Sequence, residues 1–162
     1  MSHVSRLTWP PRLHRLIVTA GTLFGALPSP AQRRVWREAW QFSRGLDTAM
    51  HGVPLPDFMQ RITPQVDLSL PPDTVRRIAD AVAYLDRATA LGICLHRSLL
   101  RYHFLRRTGL PVVIQFGVRR KSEGIGGHAW LTLHGEPYHE LAGDYAPFVV
   151  VYHYPPAASA AD

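Results

Sequence analysis

The spacing of apolar residues changes period once along this chain, at Thr108-Gly109-Leu110-Pro111, and that change restricts the fold more than any other feature. Upstream, apolar residues recur at steps of three and four, the period of a helix face. Leu13, Leu16, Ile17, Ala20, Leu23, Phe24 and Leu27 form the first such stripe, and Leu27-Pro28-Ser29-Pro30 breaks it. Ser29 is placed to cap a second helix, with Pro30 at its first position. That helix is expected to run to about Arg44 and stop at Gly45, with Val35, Trp36, Ala39, Trp40 and Phe42 on its apolar side. Residues 46–72 carry Pro54, Pro56, Pro64, Pro71 and Pro72 and read as a wrapping connection with one short helix near Phe58 to Ile62. Asp73 then caps a stripe of Val75, Ile78, Ala79, Val82 and Leu85. After Gly92, a further helix starts near Cys94 and ends at Arg107, closed by Thr108-Gly109.

Downstream, the β-branched run Val112 to Val118 reads as a strand. Gly124, Gly126 and Gly127 mark a loose turn, and His128 to Leu133, Pro137 to Leu141 and Phe148 to Tyr154 read as three more strands. Helices followed by an antiparallel meander make an α+β layout. The reading divides the chain into a helical N-terminal extension over 1–72, a catalytic domain over 73–155 and a frayed tail over 156–162.

Composition narrows the function classes. With 46% hydrophobic and 19% charged residues, the chain is globular rather than disordered. The net charge is +6, carried almost wholly by arginine, which suits an acidic peptide, an acidic protein or a headgroup layer. No aromatic-basic recognition motif or zinc-finger spacing speaks for nucleic acid. One cysteine excludes an internal disulfide and a multi-cysteine metal site, and no cofactor is expected. The apolar run Leu16 to Leu27 is shorter than the roughly 20 residues of a membrane crossing. The expectation is a cytoplasmic protein, with peripheral membrane contact left open.

The single cysteine sits at a predicted helix start. Unpaired N–H groups and partial positive charge gather there, favouring the anionic, nucleophilic form of a thiol. The same amides can hold the oxyanion formed when a carbonyl is attacked. Among nine histidines, His128 follows two glycines and opens a strand, where small neighbours allow close approach. His96 lies only two residues from Cys94, on a different side of the helix, and is rejected as the base. A three-residue hairpin loop, Leu133-His134-Gly135, would set Glu140 directly opposite His128, with Cβ atoms about 4.5–5.5 Å apart. Glu140 could then orient the imidazole, whereas a two-residue loop would turn it to the other face and make Asp144 the next choice. Trp130, on the strand face of His128, reads as packing or else as a wall of the site, and Arg97, near the helix start, reads as a member of a surface ion pair or as a contact for an acidic peptide.

A helix-borne cysteine followed by a sheet-borne histidine and acid is the order of papain-like and transglutaminase-like enzymes. The segments Cys94-Leu95-His96-Arg97-Ser98-Leu99-Leu100, Arg106-Arg107-Thr108-Gly109-Leu110-Pro111, Ile114-Gln115-Phe116-Gly117-Val118-Arg119 and His128-Ala129-Trp130-Leu131 make the likeness narrower. Over residues 92–141 the chain resembles the leader peptidases of lasso-peptide biosynthesis, in the form without a fused leader-recognition domain. The resemblance implies a transglutaminase-like fold and a cysteine protease that cuts the leader from a ribosomally made precursor peptide. It implies Cys94 as nucleophile, His128 as base and Glu140 as the third member, where the family more usually has Asp. It also implies a small leader-binding recognition protein as partner and a separate lasso cyclase acting afterwards. Two other readings stand beside it: a transglutaminase-like acyltransferase or amidase, in which an amine resolves the thioester, and a non-catalytic scaffold of a peptide-processing complex.

Overall fold

Ser29 caps the first described helix as its sequence setting requires: its hydroxyl accepts from the Gln32 amide while the Gln32 side chain accepts from the Ser29 amide. In the computed structural model, residues 29–86 and 89–156 are described. The stripe at Leu13 to Leu27 and the tail from 157 lie outside them. The elements are α1 (Pro30–Met50), α2 (Leu55–Ile62), α3 (Pro72–Leu85), α4 (Ile93–Arg107), β1 (Val112–Lys121), β2 (Gly124–Leu133), β3 (Glu136–Pro137), the one-turn helix α5 (Ala142–Tyr145) and β4 (Val149–Tyr154).

Two helix boundaries differ from expectation. Helix α1 does not stop at Gly45 but continues to Met50. A glycine inside a helix costs about 1 kcal/mol. Burying Leu46, which is 1% exposed, returns roughly 1.5–3 kcal/mol and decides the matter. Helix α3 begins at Pro72, with Pro71 at its N-cap, so Asp73 lies inside the first turn. There it does not cap but pairs with Arg76 and Arg77.

Helix α4 is the centre of the core. Its Leu99, Tyr102 and Leu105 pack with Val35, Ala39 and Leu46 of α1, Phe58 and Met59 of α2, Val75 and Val82 of α3, and Ile114 and Leu131 of the sheet. The core therefore runs across residue 72. Helices α1 and α2 belong to the same packed body as the sheet.

The sheet has the order β3-β2-β1-β4 and is antiparallel throughout. It is a meander only from β1 to β3, since β4 returns to the far side of β1. The glycines at 124, 126 and 127 do not form a loose turn. They lie in β2, paired with Lys121, Arg119 and Val118, and the turn is confined to Ser122-Glu123. At the next hairpin the loop has two residues, His134 and Gly135, both at positive φ (53° and 87°). That pair of conformations matches the twist of the strands it joins. The register is Thr132↔Pro137 and Leu133↔Glu136, one residue from that expected. Strand β3 then ends at Pro137 instead of reaching Leu141.

An ideal Cβ built on Gly45 meets nothing within 4 Å. Gly45→Ala is therefore expected to stabilise the chain by about 0.5–1 kcal/mol and raise Tm by roughly 1–4 °C in a thermal melt.

Candidate functional site

Helix α4 starts at Ile93, after Gly92 at a φ of 76°. Its start is held from two sides by α1. Asp47 accepts from the Thr89 hydroxyl and the Ala90 amide, and these bonds hold its carboxyl below the usual range. Ser43 bonds both to Asp86 (2.6 Å) and to His96 Nε2 (2.8 Å), all three residues being buried. Cys94, half-buried, is the second residue of this helix, so its amide is one of those without an acceptor inside the helix.

One turn later, the buried Ser98 hydroxyl donates to the carbonyl of Ala129 at 2.8 Å. A turn of helix is about 5.4 Å, so this bond sets the first turn of α4 beside the His128-Ala129 segment of β2. Electrostatics agrees, because the Arg97 guanidinium, in the same helix turn region, bears on His128. The structure thus joins the turn of α4 that follows Cys94 to the strand that carries His128, and no hydrogen bond links Cys94 to His128 among the described residues.

His128 stacks on Trp130 (centroids 5.7 Å apart) and against Phe148 (5.1 Å). Gly117 lies opposite it on β1. Any Cβ at Gly117 would come within 2.7 Å of the Trp130 ring and 2.9 Å of Phe148 Cβ. Trp130, 4% exposed, is thus a wall of this site as well as a packed side chain. His128 Nε2 is buried, with no hydrogen-bond partner among the described residues. Burial holds the imidazole below its usual pKa. Arg97 and Arg119 act in the same direction, and Asp144 opposes them.

Glu140 is not placed as its expected register required. His139, at a φ of 53°, turns the chain out of strand geometry just before it, so Glu140 has no cross-strand partner. Its side chain is 1% exposed and its two oxygens are taken by Arg97 Nη2 (2.6 Å) and Arg101 Nη1 (2.9 Å). It makes no hydrogen bond to His128. Burial pushes its carboxyl up, against the pull of Arg97 and Arg101. Arg97 is thus in an ion pair, but with a buried partner rather than at the surface, and it links Glu140 to the neighbourhood of His128. The acid whose charge His128 feels is Asp144 in α5.

Gly117 and Phe148 were not singled out by sequence reasoning. Their importance comes from cross-strand packing, for which a glycine between β-branched residues is the faint signal. Among the described residues there is no group of His, Cys, Asp and Glu able to hold a metal ion. No helix among them is long and apolar enough to cross a membrane.

Two measurements test this arrangement. Removing the Arg97 charge should release His128 upward toward the ordinary histidine value of about 6.5. An NMR titration of Arg97→Gln, with His128 assigned by comparison with His128→Gln, should show its midpoint at higher pH than in the parent. Gly117→Ala should cost about 1–3 kcal/mol, read as a lower denaturation midpoint, with altered ring-current shifts at Trp130 and His128.

The described residues include a sulfur at a helix start, an imidazole within a ring stack and a carboxylate whose charge acts on that imidazole, the residue types that nucleophilic chemistry uses. The sequence matches the Transglutaminase-like superfamily over residues 56–153, more than half of the chain. Neither the curated proteins nor the solved structures hold a significant match.

Proposed function

Since the chain belongs to the transglutaminase-like superfamily, we propose that it is a cysteine peptidase that removes the leader from a ribosomally made precursor peptide during lasso-peptide maturation. The superfamily supports peptidase or acyltransferase chemistry at a cysteine. The narrower reading is supported by the segments around Cys94 and His128, and by a cationic surface suited to a peptide substrate. The observation that supports it is the Ser98–Ala129 bond, which ties the helix one turn after Cys94 to the residue that follows His128.

In this reading, Nε2 of His128 faces the protein interior, which leaves Nδ1 to take the proton of Cys94. The thiolate attacks the carbonyl at the leader–core junction, and the Cys94 amide donates to the developing oxyanion. His128 then gives its proton to the leaving amine, and water resolves the thioester. Asp144 stabilises the imidazolium, while Glu140 positions Arg97 without touching the imidazole. A small leader-binding recognition protein would deliver the substrate, and a lasso cyclase would take the product.

Mass spectrometry of products from a candidate precursor, with the recognition protein present, tests the whole reading. Cys94→Ala should reduce cleavage by at least a thousandfold, and processing that survives it would sink the enzymatic reading. The two acids separate by their effect on stability. Asp144→Asn removes an anion that raises His128, so the acid limb of kcat/KM should move to lower pH, with little change in Tm. Glu140→Gln uncovers Arg97 and Arg101 and should cost about 3–5 kcal/mol of stability. An acid limb that Asp144→Asn leaves in place would remove Asp144 from the mechanism. If an added amine is incorporated at the cleaved carbonyl in preference to water, the chemistry is acyl transfer.

A further inference from the structure

Strand β4 is an edge of the sheet, paired only with β1 among the described residues. Natural sheet edges are usually blunted by charge or proline. The sequence Val149-Val150-Val151-Tyr152-His153-Tyr154 has neither acid nor lysine, and its three valines are 70%, 44% and 62% exposed. Beside Val149 opens a cleft of about 590 Å³, lined by Val118, Arg119, Arg120, Ile125, Pro147 and Val149. Ile125, at its rim, is 79% exposed. Arg119 lies over the Phe148 ring at 4.7 Å, and Phe148 in turn packs on His128. Neither Arg119 nor Arg120 is in an ion pair among the described residues.

We propose that β4 and this cleft form a docking surface for a short extended peptide segment bearing an apolar side chain and a carboxylate. The edge offers main-chain hydrogen bonds, its valines offer apolar contact, and the arginines at the cleft call for an acid. Two features favour a short segment over a second copy of this chain. The β1–β4 register shifts between Phe116 and Gly117, so the straight stretch of edge on either side is only a few residues long. A second β4 would also bring no carboxylate to Arg119 and Arg120, and the two copies would each carry +6. In an added strand the segment would lie beyond β1 from His128, about 14 Å from β2 at about 4.8 Å per strand. It would thus hold a part of the substrate remote from the bond that is cut. This deepens the peptidase reading and rests on it only for the identity of the peptide.

The test uses the full chain with Cys94→Ala, so that binding is read without cleavage. The probes are two fluorescein-labelled hexapeptides, Glu-Val-Ile-Val-Asp-Val and the same sequence with Lys at both acidic positions. Anisotropy should show the acidic peptide binding at least tenfold tighter. That affinity should fall at least tenfold in Val149→Lys/Val151→Lys, and Arg120→Glu should reverse the preference. A photo-cross-linking benzoylphenylalanine placed at Val151 should join to the acidic peptide, located by mass spectrometry. Binding that survives Val149→Lys/Val151→Lys overturns the proposal, as does cross-linking to residues 1–28 or to a second copy. If these binding results hold while the Cys94 enzyme cleaves no precursor, the peptidase reading falls and the docking surface stands.

Discussion

A buried chain of charges organises this molecule. Asp80 of α3 meets Arg101 of α4, Arg101 meets Glu140 beyond β3, and Glu140 meets Arg97 one turn back along α4. Arg101 and Glu140 are 4% and 1% exposed at their side chains. Among the described residues this network joins a helix of the N-terminal half, the central helix and the segment leading to α5. Desolvating such charges offsets much of their attraction, so a buried network of this kind is a poor source of net stability. Its asymmetry matters more. With both partners present the cost is largely met, whereas loss of either leaves an uncompensated buried charge. The geometry of the segment after β3 is thereby locked to the helix that carries Cys94.

That lock has an electrostatic consequence at His128. An isolated arginine beside the imidazole would hold it neutral and oppose formation of the imidazolium. Arg97 has its charge partly answered by Glu140, and Asp144 pulls His128 the other way. Burial between Trp130 and Phe148 remains the leading influence and keeps the ring below its ordinary pKa. A histidine held below its ordinary value is neutral near pH 7, while the nearby carboxylate limits how unfavourable the charged state becomes.

Much of the layout could be read from local chemistry. Ser29-Pro30 announced the start of α1, Gly92 that of α4, and Thr108-Gly109 its end, because caps and breakers act over three or four residues. The change from helical to strand periodicity located the sheet, and it set Cys94 at a helix start and His128 on a strand, though inside β2 rather than at its first residue. What was misread depends on interactions that local patterns do not carry. His134 takes a left-handed conformation that a non-glycine residue seldom adopts, and that single turn displaced the register on which Glu140 had been assigned to His128. Glu140 instead answers Arg97 and Arg101, some forty positions earlier, and a pairing at that separation leaves no periodic trace. The glycines of β2 were mistaken for a turn because their composition resembles one.

The same reasoning explains why α1 is part of the working unit. The Ser43 hydroxyl has one proton, and at 2.6 Å from Asp86 it goes to that carboxylate. His96 Nε2, 2.8 Å from the same oxygen, must then be the donor, so the ring carries its proton on Nε2 and presents Nδ1 as a bare lone pair. Nδ1 is buried with no partner among the described residues, and burial holds the ring below its usual pKa, with Asp86 and Asp47 opposing. The neutral tautomer satisfies Ser43 without a charge on Nδ1, whereas protonation would bury an unanswered N–H. Ser43, Asp86 and His96 thus fix α1, the end of α3 and the first turn of α4 against one another, while Asp47 pins the loop between them. Cys94 lies two residues before His96 in the helix turn so held. A chain without α1 would retain the cysteine, the histidine and the sheet, but it would lose the side chains that hold the start of α4 in place.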